Sequence, residues 1–374
     1  YKFSKIEQNL NKKFSDKKRK ITKDDFIAEG AMYLADKARF KYLLSLPEEE
    51  NVGKKVDEAM LLIEKDNPDL KDTLPKLYSK FSKFLLIELL RLMDKVSSNI
   101  EGDAFGKIYE YFLGKFALSE GQKGGEFFTP TSIVKLIVNI IEPYKGKIYD
   151  PACGSGGMFV QSAHFVEMQK KNSSSNISVY GQERVLDTVK LNKLNLAVHS
   201  LGGDIKQGNA YYEDLHNSIN KFDFVMANPP FNVKGVEKEK LKNNKRFIFG
   251  LPSVNNANYL WIQIFLSALN KYGRAGFVMG NSATDALKSE QEIRKKIINS
   301  GVVDIIISIA SNFFYSVTLP CTLWFFDKNK AKDSTENKIL FINATEIFTQ
   351  IDKAHREFSE EQNEFLLNII KLYR

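Results

Sequence analysis

Apolar residues along this chain are spaced in two ways, and the spacing divides it. Up to about residue 120 they recur three and four apart, as in Phe84, Leu85, Ile87, Leu89, Leu90 and Leu92, which predicts helices and few strands. From about Gly121 to Ala344, short apolar runs alternate with helix-like stretches. Ile177 to Glu183, Phe222 to Ala227, Ala275 to Met279, Val302 to Ile309, Thr322 to Phe326 and Ile339 to Ile342 read as strands, being short and rich in branched or aromatic residues. Strands alternating with helices predict a doubly wound α/β sheet. Polar stretches around Lys171 to Asn176 and Asn329 to Asn337 read as connections. Ser359 to Arg374 predicts an amphipathic helix with Phe365, Leu366, Ile369, Ile370 and Tyr373 as its apolar candidates. Packing on its own domain is the default for such a helix. The expected division is a helical domain over 1–120, the sheet domain over 121–345, and a C-terminal helical piece over 346–374. No internal repeat is evident.

The run Phe222 to Ala227 ends in Asn228-Pro229-Pro230-Phe231. Two successive prolines remove backbone donors and fix the direction of the chain just beyond the strand. The carboxyl ends of strands in an open α/β sheet are where ligands bind. A neutral amide, a carbonyl-rich turn and an aromatic face would therefore lie at that edge. Methyl transfer to an exocyclic amino group of a nucleobase requires this combination, because the amino lone pair is delocalised into the ring. Acceptors on the two amino hydrogens, the Asn228 side-chain oxygen and the Pro229 carbonyl, would draw the nitrogen toward tetrahedral geometry. Phe231 would stack on the base, worth roughly 1–3 kcal/mol in comparable sites. A plain strand-to-loop turn also accounts for Asn-Pro, a common turn starter.

A second motif lies upstream. Lys147 to Phe159, reading KIYDPACGSGGMF, predicts strand, glycine-rich turn and helix. Glycines let backbone approach a ligand, and the helix amino terminus presents free N–H groups. A dinucleotide site would place a third glycine where this chain has Phe159, which argues against a pyrophosphate cradle. Asp150 would instead bind a positively charged amine, such as the amino-acid end of S-adenosylmethionine; a tight turn with packing glycines is the alternative. About thirty residues on, Glu183 ends the next strand, where an acid accepts from both ribose hydroxyls. Asn209 in Gly208-Asn209-Ala210 would offer its amide to an adenine ring, though a surface turn explains it equally. In Gly124-Gly125-Glu126-Phe127-Phe128-Thr129-Pro130-Thr131, Thr129 is the expected N-cap and Pro130 the first helical residue, ahead of an apolar helix from Ile133 to Ile141.

The ordered set GGEFFTP, DPACGSGG, YGQE, GNA and NPPF, from Gly124 to Phe231, resembles the modification (M) subunit of type I restriction–modification systems. The flanking run Glu101 to Tyr111 resembles that family too. FFTP and DPACGSGG together are the more specific part, since amino-methyltransferases acting on RNA bases or protein glutamine share an NPPF-like tetrapeptide. The resemblance implies a class I S-adenosylmethionine-dependent methyltransferase fold, a Rossmann-like mixed sheet, that makes N6-methyladenine in duplex DNA. It implies that Glu126, Phe127, Phe128, Thr129, Pro130, Thr131, Asp150, Ala152, Gly154, Ser155, Gly156, Gly157, Glu183 and Asn209 hold the cofactor. Asn228, Pro229, Pro230 and Phe231 would hold the flipped-out adenine. Implied partners are a separate specificity (S) subunit, with two M per S and the C-terminal helix against its coiled coil, and a restriction (R) subunit. The chain begins without Met and is shorter than the family pattern, so extension at both ends is expected. N4-cytosine methylation uses the same chemistry, although Asn in place of Ser at position 228 favours adenine by family habit. An RNA or protein-glutamine methyltransferase and a non-catalytic DNA-binding scaffold are the other readings.

Composition is compatible with these. Of the 374 residues 43% are hydrophobic and 27% charged, ordinary values for a globular chain. No apolar stretch reaches membrane-spanning length and no signal peptide precedes the polar start, so the expected compartment is the cytoplasm. Cys153 and Cys321 are far apart, which argues against a disulfide framework. Cys153 lies in the cofactor turn, unlike the thiols of ring-carbon methyltransferases. His164, His199, His216 and His355 show no metal-ligand spacing. Gly114-Lys115 is followed by Phe116, so the phosphate-loop signature is absent and any ATP-driven translocation would belong to another subunit. The net charge of +8 favours a polyanion partner. Two basic runs stand out: Lys12, Lys13, Lys17, Lys18, Arg19 and Lys20, then Lys234, Lys238, Lys240, Lys242, Lys245 and Arg246 after NPPF. The first reads as a solvated arm or a DNA contact, the second as a mobile loop touching the phosphate backbone.

Overall fold

Burial alternates along some elements, whereas strand Cys321–Asp327 is buried throughout and so lies inside the sheet with both faces covered. The computed structural model describes residues 2–15, 19–95, 129–169, 173–252, 256–314, 319–330, 337–353 and 355–374. Gly124 to Phe128, the run Glu101 to Tyr111, Lys17, Lys18 and parts of both predicted polar connections lie outside the described residues. The chain divides into two units, one comprising 1–111 with Lys193–Gly202, the other 112–192 with 203–374.

The first unit is helical over its described N-terminal part: α1 (Lys2–Phe14), α2 (Lys23–Ala28), α3 (Phe40–Leu44), α4 (Val52–Asp66) and α5 (Lys83–Asp94), with short 3-10 turns between them. Side chains close the helix starts: Asn51 accepts from the Lys54 N–H at 3.0 Å, and Ser82 from that of Leu85 at 3.2 Å. Such caps satisfy donors that lack an intrahelical partner. Two small apolar clusters form, one of Phe3, Leu10, Phe26 and Ala31, the other around Val56, Ala59 and Leu86. The apolar set expected on α5 is not uniformly inward. Leu86, Ile87 and Leu90 face the second cluster, whereas Phe84, Leu85, Leu89 and Leu92 are exposed. A 3.6-residue period cannot turn so wide an apolar set to one side.

The second unit contains an eight-stranded sheet: β1 (Gly146–Asp150), β2 (Ile177–Glu183), β3 (Gly203–Gln207), β4 (Phe222–Ala227), β5 (Leu269–Gly280), β6 (Val303–Ile309), β7 (Cys321–Asp327) and β8 (Leu340–Ala344). Their order is β3-β2-β1-β4-β5-β7-β6-β8. Pairing is parallel from β3 through β5 and between β6 and β8. Strand β7 runs antiparallel to both β5 and β6, so the sheet is mixed and α/β. Strand order reverses between β1 and β4, the switch point at which ligands bind in doubly wound sheets.

Helices cover both faces: α6 (Thr131–Ile141), α7 (Gly157–Met168), α8 (Ser173–Asn176), α9 (Leu186–Val198, in this unit up to Asn192), α10 (Asn258–Ala268), α11 (Ser282–Asp285), α12 (Ser289–Asn299) and α13 (Glu360–Tyr373). A Cβ at Gly276 would meet Ile137 and Ile141 of α6. The next residue, Phe277, meets Phe265 of α10 with ring centroids 4.7 Å apart. Successive strand residues point to opposite faces, so α6 and α10 flank the sheet on opposite sides. Helix α13 buries Leu366 and Ile370 and packs on α6, where Arg374 donates to the Ile140 carbonyl at 2.8 Å. Of its other expected apolar positions, Ile369 and Tyr373 are half-buried and Phe365 is exposed. Among the described residues no helix is long and apolar enough to cross a membrane.

Candidate functional site

Two predicted motifs meet across the switch point. Tyr149 of β1 pairs with Val225 of β4, so Asp150 and the glycine turn leave one strand beside the Asn228 turn leaving the other. Asp150 is buried, and its Oδ1 accepts from the Ala152 N–H at 2.9 Å. Burial pushes its carboxyl well above the usual range; the Ala152 N–H opposes this and the Glu183 charge adds to it. Gly154 and Gly156 have φ of +49° and +86°, a region that disfavours residues with a Cβ. A Cβ at Gly156 would also lie 3.0 Å from the Asn192 Oδ1, whereas at Gly154 or Gly157 it would meet open space. Gly157 opens α7, whose first N–H groups lack intrahelical partners.

Two side chains hold this turn from outside. Glu183, at the end of β2, accepts from the Gly154 N–H at 3.2 Å through Oε2 and from that of Val185 at 2.9 Å through Oε1. Asn192 of α9 is fully buried and donates to the Gly154 carbonyl at 2.9 Å. Sequence reading missed Asn192, because an asparagine within a helix carries no local sign of what its amide meets. Beyond β3, Asn209 accepts from the Tyr211 N–H at 3.0 Å, and its own N–H donates to Glu213 at 2.8 Å. Its side-chain oxygen is thus part of a local turn.

Strand β4 ends at Ala227, and the catalytic candidates follow at once. Asn228 is half-buried, and its Nδ2 donates to the Thr129 Oγ1 at 2.9 Å. Thr129 is therefore not the cap expected of it. Pro130 occupies the N-cap position, α6 starts at Thr131, and no side chain caps the helix. Pro229 is buried, Pro230 exposed and Phe231 half-buried. The Phe231 ring stands edge-on to Phe314, centroids 6.4 Å apart at 87°. Of the cofactor candidates upstream, Thr129, Pro130 and Thr131 are described, whereas Glu126, Phe127 and Phe128 lie outside the described residues.

The segment after NPPF is anchored, contrary to the expectation of a mobile basic loop. Val236, Leu241 and Phe247 are buried in the main core. Arg246 is 1% exposed; its Nη2 donates to the Tyr211 carbonyl at 3.2 Å and its Nε to Asn244 at 3.1 Å. Lys240 and Lys242 pair with Glu237 and Glu239. In the first basic run, Lys13 pairs with Glu29 and Arg19 with Asp25. Both runs are thus partly neutralised locally, which sequence position alone did not reveal.

Burial pushes the Cys153 thiol well above its usual range, with the Asp150 and Glu183 charges adding to it. A thiol held protonated is a poor nucleophile. Among the described residues no three His, Cys, Asp or Glu side chains gather as a metal site requires. The arrangement offers a glycine turn flanked by two acids and, across the switch point, an amide beside an aromatic ring.

Comparison with known proteins gives this geometry a family. The model of the N-6 DNA methylase family matches residues 100–373. The chain belongs to that family. It is 37% identical over 362 residues to the type I restriction enzyme MjaIX methylase subunit of Methanocaldococcus jannaschii, covering 94% of this chain and 64% of the relative. It is 36% identical over 325 residues to the HindI methylase subunit of Haemophilus influenzae, covering 83% and 72%. The chain therefore spans somewhat less than two thirds of the first relative and somewhat more of the second. In solved structures, the type I methyltransferase subunit from Streptococcus thermophilus superposes with a TM-score of 0.80 at 22% identity, over 94% of this chain and 78% of that one. A class I S-adenosylmethionine-dependent methyltransferase from Listeria monocytogenes superposes at 0.58 with 16% identity, over 90% and 97%. The fold is that of class I methyltransferases.

Proposed function

We propose that this chain is the methylation subunit of a type I restriction–modification system, transferring a methyl group from S-adenosylmethionine to the N6 amino group of an adenine flipped out of duplex DNA. The observation that carries the reading is the juxtaposition of the Asp150 glycine turn and the Asn228 turn at one switch point. The residues fit the cofactor's chemistry. Asp150 is a buried acid suited to an ammonium, Glu183 places a carboxylate at the end of β2 against the glycine turn, where a ribose would lie, and Gly154 and Gly157 leave space that a Cβ would fill. Ala152, Ser155 and Gly156 would line the turn, Asn209 would offer its amide to the adenine ring, and Glu126 to Thr131 would be further cofactor contacts.

When bound, S-adenosylmethionine supplies an electrophilic methyl group on its sulfonium. The chain's own residues prepare the base. Flipping is required because the amino group cannot be reached within the duplex. Asn228 Oδ1 and the Pro229 carbonyl accept from the two amino hydrogens, Pro230 fixes the turn, and Phe231 stacks on the ring. Alignment of this kind supplies much of the acceleration. Both acceptors are neutral, so the amino group need not lose its proton first.

In this reading residues 1–120 form the helical domain, 121–345 the transferase domain, and 346–374 a C-terminal piece facing a partner. Duplex DNA is the substrate, a separate S subunit supplies sequence specificity with two M per S, and an R subunit joins for cleavage. The compartment is the cytoplasm. The exposed Phe365 and Leu372 of α13 suit contact with a coiled coil. The test is tritium transfer from methyl-labelled S-adenosylmethionine to duplex DNA, RNA and protein offered together. Label in DNA supports the reading, and label confined to RNA or protein overturns it.

A further inference from the structure

We propose that Asn258, in the first turn of α10, is a positioning residue that sets the pose of Phe231. The inference rests on the reading of NPPF as the base-holding turn. Asn232, directly after Phe231, has φ of +54°, a conformation that Asn tolerates better than other residues with a Cβ. Two polar side chains, Asn258 and Ser282, lock it there. Asn258, 0% exposed, accepts from the Asn232 backbone N–H through Oδ1 at 2.8 Å. Its Nδ2 donates to Asn232 Oδ1 at 3.0 Å and to Ser282 Oγ at 3.2 Å. Ser282 Oγ closes the ring by donating to Asn232 Oδ1 at 2.7 Å. A backbone bond from the Ala257 N–H to the Val233 carbonyl, 3.1 Å, lies alongside.

The ring joins three separate elements: the turn after β4, the first turn of α10 and the start of α11 after β5. Phe231 lies against the end of β5, two residues before Ser282, since a Cβ at Gly280 would be 3.7 Å from its Cβ and Cγ. The clasp therefore fixes both the residue that follows the aromatic ring and the backbone on which the ring rests. A buried amide with both ends bonded is strongly oriented. Neither the helix period nor the NPPF motif calls for Asn at position 258, whose side chain faces no solvent. Its place in the ring supplies the reason: an apolar residue there would leave the Asn232 N–H and Oδ1 without these partners.

The test measures full-length protein, co-expressed with its S subunit, on a duplex carrying the target site. Asn258→Ala and Ser282→Ala are compared with wild type well below their melting temperatures, with both substrates saturating. The inference expects kcat to fall roughly 10- to 100-fold in Asn258→Ala, as for small misplacements of reacting groups, and less in Ser282→Ala. The dissociation constant for S-adenosylmethionine stays within about twofold, because the clasp does not touch the glycine turn. Asn232→Gly, which keeps the backbone bond and accommodates the positive φ, retains more activity than Asn232→Val. Should Asn258→Ala fail to fold, the Ser282 and Asn232 pairs carry the test. Wild-type kcat in Asn258→Ala, or equal activity of Asn232→Gly and Asn232→Val, overturns the inference. An inactive wild-type complex overturns the underlying reading instead.

Discussion

Asn228 Nδ2 donates to Thr129 Oγ1 across 2.9 Å, joining residues 99 positions apart. The bond links the end of the FFTP segment to the start of NPPF and takes the threonine hydroxyl away from the helix it precedes. It also distinguishes the two ends of the amide, since the nitrogen end is held by Thr129. Thr129→Val is expected to lower the methylation rate roughly two- to tenfold, the worth of one ordinary hydrogen bond, with Thr129→Ser recovering most of it. Single-turnover rates at saturating cofactor check this, and an unchanged rate in the valine variant contradicts it.

Two of the three glycines of the candidate cofactor turn, Gly156 and Gly157, should respond differently. Gly156→Ala places a Cβ against Asn192 at a φ of +86°, so stability falls by about 1–2 kcal/mol. Gly157→Ala meets no atom within 4 Å and φ there is not positive; its melting temperature should hold, while affinity for S-adenosylmethionine drops because the methyl occupies the ligand's space. Thermal melts and calorimetry on both variants separate the effects. Full affinity in Gly157→Ala would move the cofactor away from this turn.

Asp150 predicts a proton linkage. Burial raises its pKa in the free protein, with the Ala152 N–H opposing and the Glu183 charge reinforcing the shift. Pairing with an ammonium favours the ionised form, so the pKa falls on binding and protons are released between the two values. Affinity should therefore rise with pH through that window and level off above the free-protein pKa. The same raised pKa means that Asp150 favours the fold below its unfolded pKa, and this contribution is lost as pH rises through the folded value. Calorimetry in buffers of different ionisation enthalpy reports the released proton. Proton uptake, or unchanged affinity in Asp150→Ala, contradicts the assignment.

Arg246 should behave as a core residue. Its guanidinium is buried on the Tyr211 carbonyl and Asn244, so Arg246→Ala is expected to cost about 2–4 kcal/mol through lost packing and bonding. Lysine should rescue poorly, since it lacks the planar fork. A variant as stable as wild type but weaker on DNA would restore the surface-loop reading.

What the sequence made legible was local. Strands β2 and β4 match their predicted limits because Gly, Pro and polar residues bound short apolar runs. Strand β3 escaped notice because only Ile205 of its five residues is buried, leaving no period to detect. Strand β5 extends back to Leu269, which pairs with Phe222 of β4 across a register irregularity that contains the polar Asn270 and Lys271, and a polar interruption of that kind hides the strand's start from its composition. The fate of the Thr129 hydroxyl, the burial of Arg246 and the amides of Asn192 and Asn258 all depend on partners distant in sequence. Motif order marks the strand ends of the candidate site; the side chains that hold them come from segments distant in sequence.

The most direct measurement is mass spectrometry of nucleosides from duplex DNA incubated with S-adenosylmethionine and this protein co-expressed with its S subunit, beside an Asn228→Ala complex and a partner-free sample. N6-methyladenine is expected only with intact Asn228 and the partner, and the variant should lose at least about 100-fold in rate, as when an electrostatic contact to the reacting group is removed. Its cofactor affinity should persist. Modified adenine at the wild-type level in Asn228→Ala, or N4-methylcytosine in place of N6-methyladenine, would contradict the assignment.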